Sequence, residues 1–66
     1  MTLRPDLAVI AGHIEERSRV LDVGCGDGEL MAELVSSKHV DARGMEIDAE
    51  EVQKCVARGL SAGRIF

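Results

Sequence analysis

A chain of 66 residues with a formal charge of −4 and two cysteines can bury only a small core. Folding at this length buries about 60% of the unfolded surface, and two cysteines are too few for a disulfide-stapled secreted domain. The sequence has no signal-peptide pattern and no apolar run near the roughly 18–20 residues of a membrane span, and dispersed acidic charge argues against general nucleic-acid binding. We therefore expect a cytoplasmic chain with neither a membrane nor a nucleic acid as partner.

The first predicted helix opens at Arg4-Pro5-Asp6, because proline suits a first-turn position. Its apolar residues recur at helical spacing, and they are Leu7, Ile10, Ala11 and Ile14. The polar run Glu15–Ser18 ends this pattern. Val20–Val23 then predicts a buried strand, which leads into the glycine-rich turn Gly24–Gly28.

A second helix is predicted from Glu29 to Ser36. Its apolar stripe consists of Leu30, Met31, Leu34 and Val35. The polar stretch Ser36–Asp41 predicts a loop, and Ala42–Ile47 predicts a second strand.

A third helix is predicted after Asp48, which is a suitable N-cap, with Glu51 completing a pair that resembles a capping box. Its buried side is expected to carry Val52, Cys55 and Val56. Gly59 is expected at the C′ position, where the helix ends. Leu60–Phe66 is expected to begin a third strand.

The order helix, strand, helix, strand, helix, possible strand predicts an α/β fold, namely part of a doubly wound, Rossmann-like parallel sheet. Successive crossovers in one direction place their helices on one face of the sheet. The other face of Val20–Val23 and Ala42–Ile47 would then be uncovered, although parallel sheets are normally covered on both faces. The sequence therefore reads as half of a domain, and self-association through the uncovered face is expected.

The glycine turn predicts a cofactor site. Gly24, Gly26 and Gly28 let the backbone approach a ligand closely, and the first turn of the next helix is expected to point free N–H groups at it. The spacing Gly-x-Gly-x-Gly departs from the Gly-x-Gly-x-x-Gly of dinucleotide-binding proteins. Asp22 and Asp27 would repel a pyrophosphate and attract a sulfonium or ammonium group, which favours S-adenosylmethionine over NAD unless these carboxylates turn away or bind backbone.

An acidic residue at the end of the second predicted strand completes this site. Glu46 lies twenty-two positions beyond Gly24, which is the separation expected within one βαβ unit. Its carboxylate would face the same crevice and could accept two hydrogen bonds from the vicinal hydroxyls of an adenosine ribose.

The two motifs together resemble a known family. Val20–Gly28 resembles the first motif of class I S-adenosylmethionine-dependent methyltransferases, and Gly44–Asp48 resembles their acidic second motif. More narrowly, four segments resemble the methionine biosynthesis protein MetW family: Arg4-Pro5-Asp6-Leu7, Gly24–Leu30, Gly44–Asp48 and Cys55–Gly59. The resemblance covers nearly the whole chain but about the first third of such a protein. It implies that residues 1–66 are the N-terminal part of a methyltransferase-like cofactor-binding domain.

The resemblance also implies S-adenosylmethionine or S-adenosylhomocysteine as the ligand. The implied cofactor-binding positions are Asp22, Gly24, Cys25, Gly26, Gly28, Glu46 and Ile47. The glycines would approach the methionine end, Asp22 would organise the loop or its waters, and Glu46 would hold the ribose. Ile47 or Asp48 would border the adenine. No residue is assigned to the chemistry of a methyl acceptor, so the chain by itself is expected to be catalytically inactive.

Several of these residues have a purely structural alternative. Asp22 could bind the amides of the loop, Asp27 could be solvated or could cap the second helix, and Asp48 is more often a cap than an adenine neighbour. The thiols of Cys25 and Cys55 are expected to pack rather than react. His13, His39 and the two cysteines lack a recognised ligand spacing, so no metal site is expected.

Three functions remain open at this stage. The first is the S-adenosylmethionine-binding part of a MetW-like methyltransferase-fold protein linked to methionine biosynthesis. The second, implied by the same resemblance, is a non-catalytic regulatory partner of a homoserine O-acyltransferase. The third is an NAD-binding module, which the glycine spacing disfavours.

Overall fold

The chain folds as a parallel β-sheet with a layer of helices packed on it, in a computed structural model that describes residues 5–65. Helices and strands alternate as α1 (Pro5–Gly12), β1 (Arg19–Val23), α2 (Glu29–Lys38), β2 (Asp41–Glu46), α3 (Ala49–Ala57) and β3 (Ser61–Arg64). The strands form a parallel sheet in the order β1-β2-β3. This confirms the predicted fold class and the third strand, while the predictions at Arg4 and Phe66 lie outside the described residues.

The two faces of the sheet differ in what covers them. Ala42 and Ala62 pack against a core of Cys25, Met31 and Cys55, which includes side chains from α2 and α3. On the opposite face, Leu21 and Val23 are 63% and 65% exposed. Because side chains alternate along a strand, every second residue of the sheet meets the helices and the others face outward. Within the described part of the chain, the helices therefore cover one face, as the sequence predicted.

Tertiary contacts move several of the predicted ends. The helix α1 ends at Gly12, before Ile14, and α2 continues two residues past Ser36 to Lys38. The Lys38 ammonium donates to the carbonyls of Ala11 (2.8 Å) and Ile14 (2.5 Å), which joins the end of α2 to the end of α1. The helix therefore extends into the region predicted as a loop.

Strand β2 begins one residue earlier than predicted and ends one residue earlier. The N–H of Asp41 donates to the Ser18 carbonyl at 2.9 Å, which extends the strand pairing beside β1. Ile47 lies beyond the strand and is 61% exposed.

Helix α3 begins and ends at the predicted residues and has the predicted N-cap, but the expected capping box does not form. The Asp48 carboxylate accepts a hydrogen bond from the Glu50 N–H at 2.9 Å, as an N-cap does. Glu51 does not complete a capping box, because the Asp48 N–H donates to the Glu46 carboxylate at 3.0 Å, and the Glu51 carboxylate instead lies 3.3 Å from the Lys54 ammonium. At the other end, Gly59 has a φ of +82° and its N–H donates to the Val56 carbonyl at 2.9 Å, which confirms the predicted stop.

The apolar stripes of α2 and α3 are narrower than predicted. Met31 and Leu34 are buried on α2, whereas Val35 is 40% exposed. Cys55 is fully buried on α3, whereas Val56 is 58% exposed. Neighbouring helical residues lie about 100° apart, so a residue that points at the sheet turns the next one toward solvent. The expected burial of Val35 and Val56 was wrong for this reason.

No helix among residues 5–65 is both long enough and apolar enough to cross a membrane.

Candidate functional site

The glycine turn forms a loop of residues 24–28 at the carboxyl end of β1, and we call it the glycine loop. Gly24, Gly26 and Gly28 have φ values of +78°, +58° and +87°, a conformation that L residues rarely adopt. A Cβ placed on Gly24 or Gly26 would meet no atom within 4 Å, so open space lies beside both. A Cβ on Gly28 would come within 2.6 Å of Leu60 Cδ1. The first two glycines thus face an opening, and the third packs against the body of the chain.

Most amide groups of the glycine loop donate hydrogen bonds within the protein. The N–H groups of Gly24 and Cys25 both donate to the Met45 carbonyl, at 2.6 and 3.2 Å, and that of Gly28 donates to the Cys25 carbonyl at 3.1 Å. At the start of α2, the Glu29 N–H donates to the Asp27 carboxylate at 3.2 Å. The sequence predicted free first-turn N–H groups directed at a ligand, and for Glu29 this was wrong because Asp27 takes its N–H.

Glu46 joins the two sequence motifs. Its carboxylate accepts the Gly26 N–H at Oε1 (2.9 Å) and the Asp48 N–H at Oε2 (3.0 Å). These backbone donors, Asp48 first and Gly26 second, lower the pKa of Glu46. The carboxylate therefore stays ionised at neutral pH and links the glycine loop to the beginning of α3.

Asp22 lies at the end of β1, one strand away from Glu46. It is half-buried and pairs in register with Gly44, on the face that the helices cover. Burial raises the pKa of Asp22, and the negative charge of Glu46 raises it further. Two carboxylates thus lie at the carboxyl end of neighbouring strands, and a nearby cation or the protonation of Asp22 would relieve their repulsion.

An open cavity of about 240 Å³ lies over the glycine loop. It is lined by Leu7, Ile10, Asp22, Gly24, Cys25, Gly26, Asp27, Glu29 and Leu30. Among these lining residues three are acidic and none is basic, so the cavity favours positively charged groups. Helix α1 contributes Leu7 and Ile10, a role that the sequence analysis missed because their helical spacing predicts core packing equally well.

The predicted adenine-side residues lie outside the lining of this cavity. Ile47 is exposed beyond the end of β2, next to Glu46. Asp48 caps α3, which agrees with the structural alternative for this residue. The structure thus brings Asp22, Gly24, Cys25 and Gly26 together around one cavity and ties Glu46 to it through the Gly26–Glu46 hydrogen bond. Gly28 and Ile47 are not among the residues that line it.

The thiol of Cys25, in the glycine loop, contacts the thiol of Cys55, on α3. Their sulfurs are 3.8 Å apart, and the Cys55 thiol donates to the Gly26 carbonyl at 3.1 Å. Burial, followed by the neighbouring Cys55, raises the pKa of Cys25 to about 12. The Cys25 thiol is therefore protonated at neutral pH and acts in the resting structure as a packing group.

Asp27 caps the second helix, which the sequence offered as one of two alternatives. Its Oδ1 accepts the Glu29 N–H, and its Oδ2 lies 3.5 Å from the Arg58 guanidinium. Within the described residues, no group of three or more His, Cys, Asp or Glu side chains is arranged to hold a metal ion.

Two larger hollows lie on the uncovered face of the sheet. One of about 500 Å³ is lined by Arg19, Val20, Leu21, Asp41 and Arg43, and another of about 410 Å³ lies over β2 and β3. Both are more open than the cavity over the glycine loop and border none of its positive-φ backbone. We therefore place the candidate site at the smaller cavity, where the loop, Asp22 and Glu46 converge.

Comparison with known proteins identifies the family of the sequence. The profile of the family described as methionine biosynthesis protein MetW matches residues 4–64. No curated protein matches the chain with significant similarity.

Solved structures share the fold. A TehB-like SAM-dependent methyltransferase from Corynebacterium glutamicum is 18% identical with a TM-score of 0.78, and the match covers 96% of this chain and 35% of that one. SAM-dependent methyltransferases from Geobacter sulfurreducens and Thiobacillus denitrificans, both in complex with S-adenosyl-L-homocysteine, are each 22% identical, with TM-scores of 0.72 and 0.68. Each of these two matches covers 96% of this chain and 29% of the other. This chain therefore has the fold of part of a SAM-dependent methyltransferase and spans about a third of the length of these proteins.

Proposed function

This chain belongs to the methionine biosynthesis protein MetW family, and we propose that residues 1–66 form the N-terminal, cofactor-binding part of a class I methyltransferase-like domain. The proposed ligand is S-adenosylmethionine or its product S-adenosylhomocysteine. The observation that carries the proposal is the bridge made by Glu46, which joins the glycine loop to the end of β2 through Gly26. The proposed ligand positions are Asp22, Gly24, Cys25, Gly26, Gly28, Glu46 and Ile47.

The Glu46 carboxylate is suited to hold a ribose. An ionised carboxylate has about four lone-pair sites, and the N–H groups of Gly26 and Asp48 occupy one on each oxygen. Acceptor sites therefore remain on the carboxylate for the vicinal hydroxyls of a ribose. Because its pKa is lowered, Glu46 accepts both hydrogen bonds as a full negative charge at neutral pH.

The charge of the cavity favours a sulfonium over a pyrophosphate. Asp22, Asp27 and Glu29 line it, and the N–H groups of Gly24, Cys25, Gly26, Gly28 and Glu29 already donate hydrogen bonds within the chain. Gly24 and Gly26 leave space for close backbone approach. Ile47, exposed beside Glu46, offers an apolar surface for the adenine ring.

The proposed role of this chain in methyl transfer is to bind the cofactor. Transfer of a methyl group from a sulfonium to a nucleophile depends chiefly on proximity and orientation. The described residues would orient the methyl donor, and none of them is assigned to the methyl acceptor.

Calorimetric titration of the chain with S-adenosylhomocysteine, and separately with NAD, tests the proposal. We expect the adenosylhomocysteine to bind more tightly. Glu46→Gln should weaken its binding by roughly tenfold or more, because hydrogen bonds to a charged carboxylate are stronger than those to a neutral amide. Glu16→Gln is the matched control, since this exposed residue lies in the segment between α1 and β1. Tighter binding of NAD, or equal binding by both variants when circular dichroism shows them folded, would contradict the proposal.

A second candidate function is regulatory. Leu21 and Val23 are exposed apolar residues on the outward face of the sheet, beside the charged residues Arg19 and Arg43, and they offer a contact for another protein. The resemblance to MetW proteins points to a homoserine O-acyltransferase as that partner. Co-purification with this enzyme, together with a rise in its activity when no methyl acceptor is present, would favour the regulatory function. Failure of both observations would exclude it.

A further inference from the structure

Cys25 of the glycine loop is among the proposed ligand positions, but neither proposed function uses the thiol chemistry of Cys25 or of Cys55 on α3. Cys25 and Cys55 are separated by 30 positions in the chain, yet their sulfurs lie 3.8 Å apart. A disulfide bond is about 2.05 Å long, so the sulfurs need to approach by somewhat less than 2 Å. We propose that Cys25 and Cys55 form a reversible intramolecular disulfide that ties the glycine loop to α3 and changes the loop in response to oxidation.

The two sulfurs differ in exposure, which gives them different roles in the oxidation. Cys25 is 8% exposed and lines the open cavity, whereas Cys55 is fully buried. A small oxidant such as hydrogen peroxide therefore meets Cys25 first. The Cys55 sulfur lies in van der Waals contact behind it and resolves the oxidised Cys25.

The reaction with hydrogen peroxide balances without another reactant. The Cys25 thiolate attacks one peroxide oxygen, the O–O bond breaks, and the products are a sulfenic acid and a hydroxide that takes up the thiol proton as water. The Cys55 sulfur then attacks the Cys25 sulfur, its S–O bond breaks, and the departing hydroxide leaves as water with the Cys55 proton. Two thiols are oxidised to one disulfide, and one peroxide is reduced to two waters. Because burial raises the pKa of Cys25, little of its thiol is ionised at neutral pH, so the first step is slow there and accelerates as the pH rises.

Oxidation would alter the backbone of the glycine loop. The Gly26 carbonyl accepts the Cys55 thiol at 3.1 Å and has the Cys25 thiol at 3.7 Å. A disulfide carries no S–H, so this carbonyl loses both donors. The N–H of the same residue donates to Glu46 at 2.9 Å. The oxidation state of the pair thus acts on the residue that links the loop to the end of β2.

The test exposes the folded chain to hydrogen peroxide and follows intact mass, free thiols and thermal unfolding without reductant. We expect both thiols to disappear together with the loss of two hydrogen masses, and dithiothreitol to restore them. Tryptic digestion should link the peptide of residues 20–38 to that of residues 55–58. The melting temperature should rise by roughly 10 °C or more, because the bond closes a long loop in the unfolded chain. Oxygen addition at each thiol independently, disulfide-linked dimers, or oxidation only after unfolding in urea would overturn the proposal.

Two further measurements separate the disulfide from its effect on the loop. Cys55→Ala, with Cys55→Ser as a second variant, should add oxygen at Cys25 without the loss of hydrogen or the rise in melting temperature. An unchanged response to peroxide in whichever variant remains folded would contradict the resolving role of Cys55. In the unmodified chain, the amide resonance of Gly26 should move on oxidation while that of Gly63, on β3, stays. A stationary Gly26 resonance would refute the coupling to the loop.

Discussion

Asp22 and Glu46 are like-charged groups at the carboxyl ends of neighbouring strands, and the fold shifts their pKa values in opposite directions. Backbone N–H donors lower the pKa of Glu46, whereas burial and the charge of Glu46 raise that of Asp22. The stabilising contribution of Glu46 is present above its unfolded pKa of 4.5 and is lost as the pH falls through the folded value. The contribution of Asp22 is present below its unfolded pKa of 3.8 and is lost as the pH rises through the folded value.

Asp22→Asn should therefore stabilise the chain at neutral pH. The amide keeps the size of the side chain and removes a charge that burial and Glu46 disfavour. We expect a gain below about 1 kcal/mol in the free energy of unfolding, since the group is partly solvated and its interactions are screened. Urea denaturation at neutral pH measures the gain, which should vanish below the unfolded pKa of 3.8. The exposed Asp41→Asn is the control, and an equal gain in both variants would contradict the prediction.

Gly44→Ala and Gly63→Ala should differ in sign although both residues lie in strands. A Cβ on Gly44 would stand 2.6 Å from Met31 Cε and 2.7 Å from Cys25 Sγ, whereas one on Gly63 would meet nothing within 4 Å. We expect Gly44→Ala to cost about 1–3 kcal/mol through overpacking. Gly63→Ala should gain up to about 1 kcal/mol, because alanine loses less backbone entropy on folding than glycine. Urea denaturation of both variants measures the difference, and equal unfolding free energies would show that Gly44 is not tightly packed.

The positions of the two motif residues Gly24 and Glu46 were predictable from the sequence, but the part that α1 plays in lining the cavity and the hydrogen bonds of the site were not. The spacing of Gly24 and Glu46 placed both at the carboxyl ends of neighbouring strands, which the parallel register confirms. The bond between Gly26 and Glu46 depends on the path of a loop, and no sequence periodicity encodes that path. The same limit applies to the N–H of Glu29, which Asp27 accepts in place of a ligand.

At the level of helices and strands, local residue chemistry predicted the fold well, and tertiary contacts set the remaining ends. Asp48 and Gly59 have the residue types that begin and end a helix, and both do so in α3. The end of α2 escaped prediction because Lys38 reaches carbonyls of Ala11 and Ile14, more than twenty positions away. The capping box of Glu51 was predicted wrongly because Glu46, at the end of β2, accepts the Asp48 N–H that Glu51 would have bound.

The glycines at the ends of α1 and α3 allow a matched test of how a positive φ affects the cost of adding a Cβ. Gly59 follows α3 with a φ of +82°, whereas Gly12 ends α1 without a positive φ, and a Cβ on either would meet nothing within 4 Å. Gly59→Ala should cost about 1–2 kcal/mol, because a Cβ is strained in the left-handed region. Gly12→Ala should gain about 0.5–1 kcal/mol from higher helix propensity. Thermal unfolding of both variants measures these changes, and a loss of stability in Gly12→Ala equal to that in Gly59→Ala would contradict the backbone explanation.

At the scale of the whole molecule, burial is one-sided. The buried hydrophobic residues are Cys25, Met31, Leu34, Val40 and Cys55, and none of them belongs to the outward face of the sheet. Parallel sheets are normally covered on both faces. The chain spans 29–35% of the methyltransferase structures that share its fold, which agrees with a layer covered on one side. Crossovers that all run in one direction across the sheet place their helices on one face, and this expectation predicted the one-sided burial from the sequence.

The uncovered face should make the isolated chain self-associate, and two valines test this. Val23 on β1 is 65% exposed and Val56 on α3 is 58% exposed, so the residues differ mainly in the surface they occupy. Val23→Thr replaces a methyl with a hydroxyl that is costly to bury, and it should weaken association by about tenfold. Val56→Thr should leave association unchanged.

Sedimentation equilibrium from low to high micromolar concentration measures the effect. We expect a weight-average mass that rises with concentration for the unmodified chain and for Val56→Thr, and a smaller rise for Val23→Thr. An equal reduction in both variants would place the contact elsewhere than the sheet face. A monomer at every concentration, with a cooperative thermal transition, would show that this layer is stable with one face open to water, because solvation of that face would then suffice.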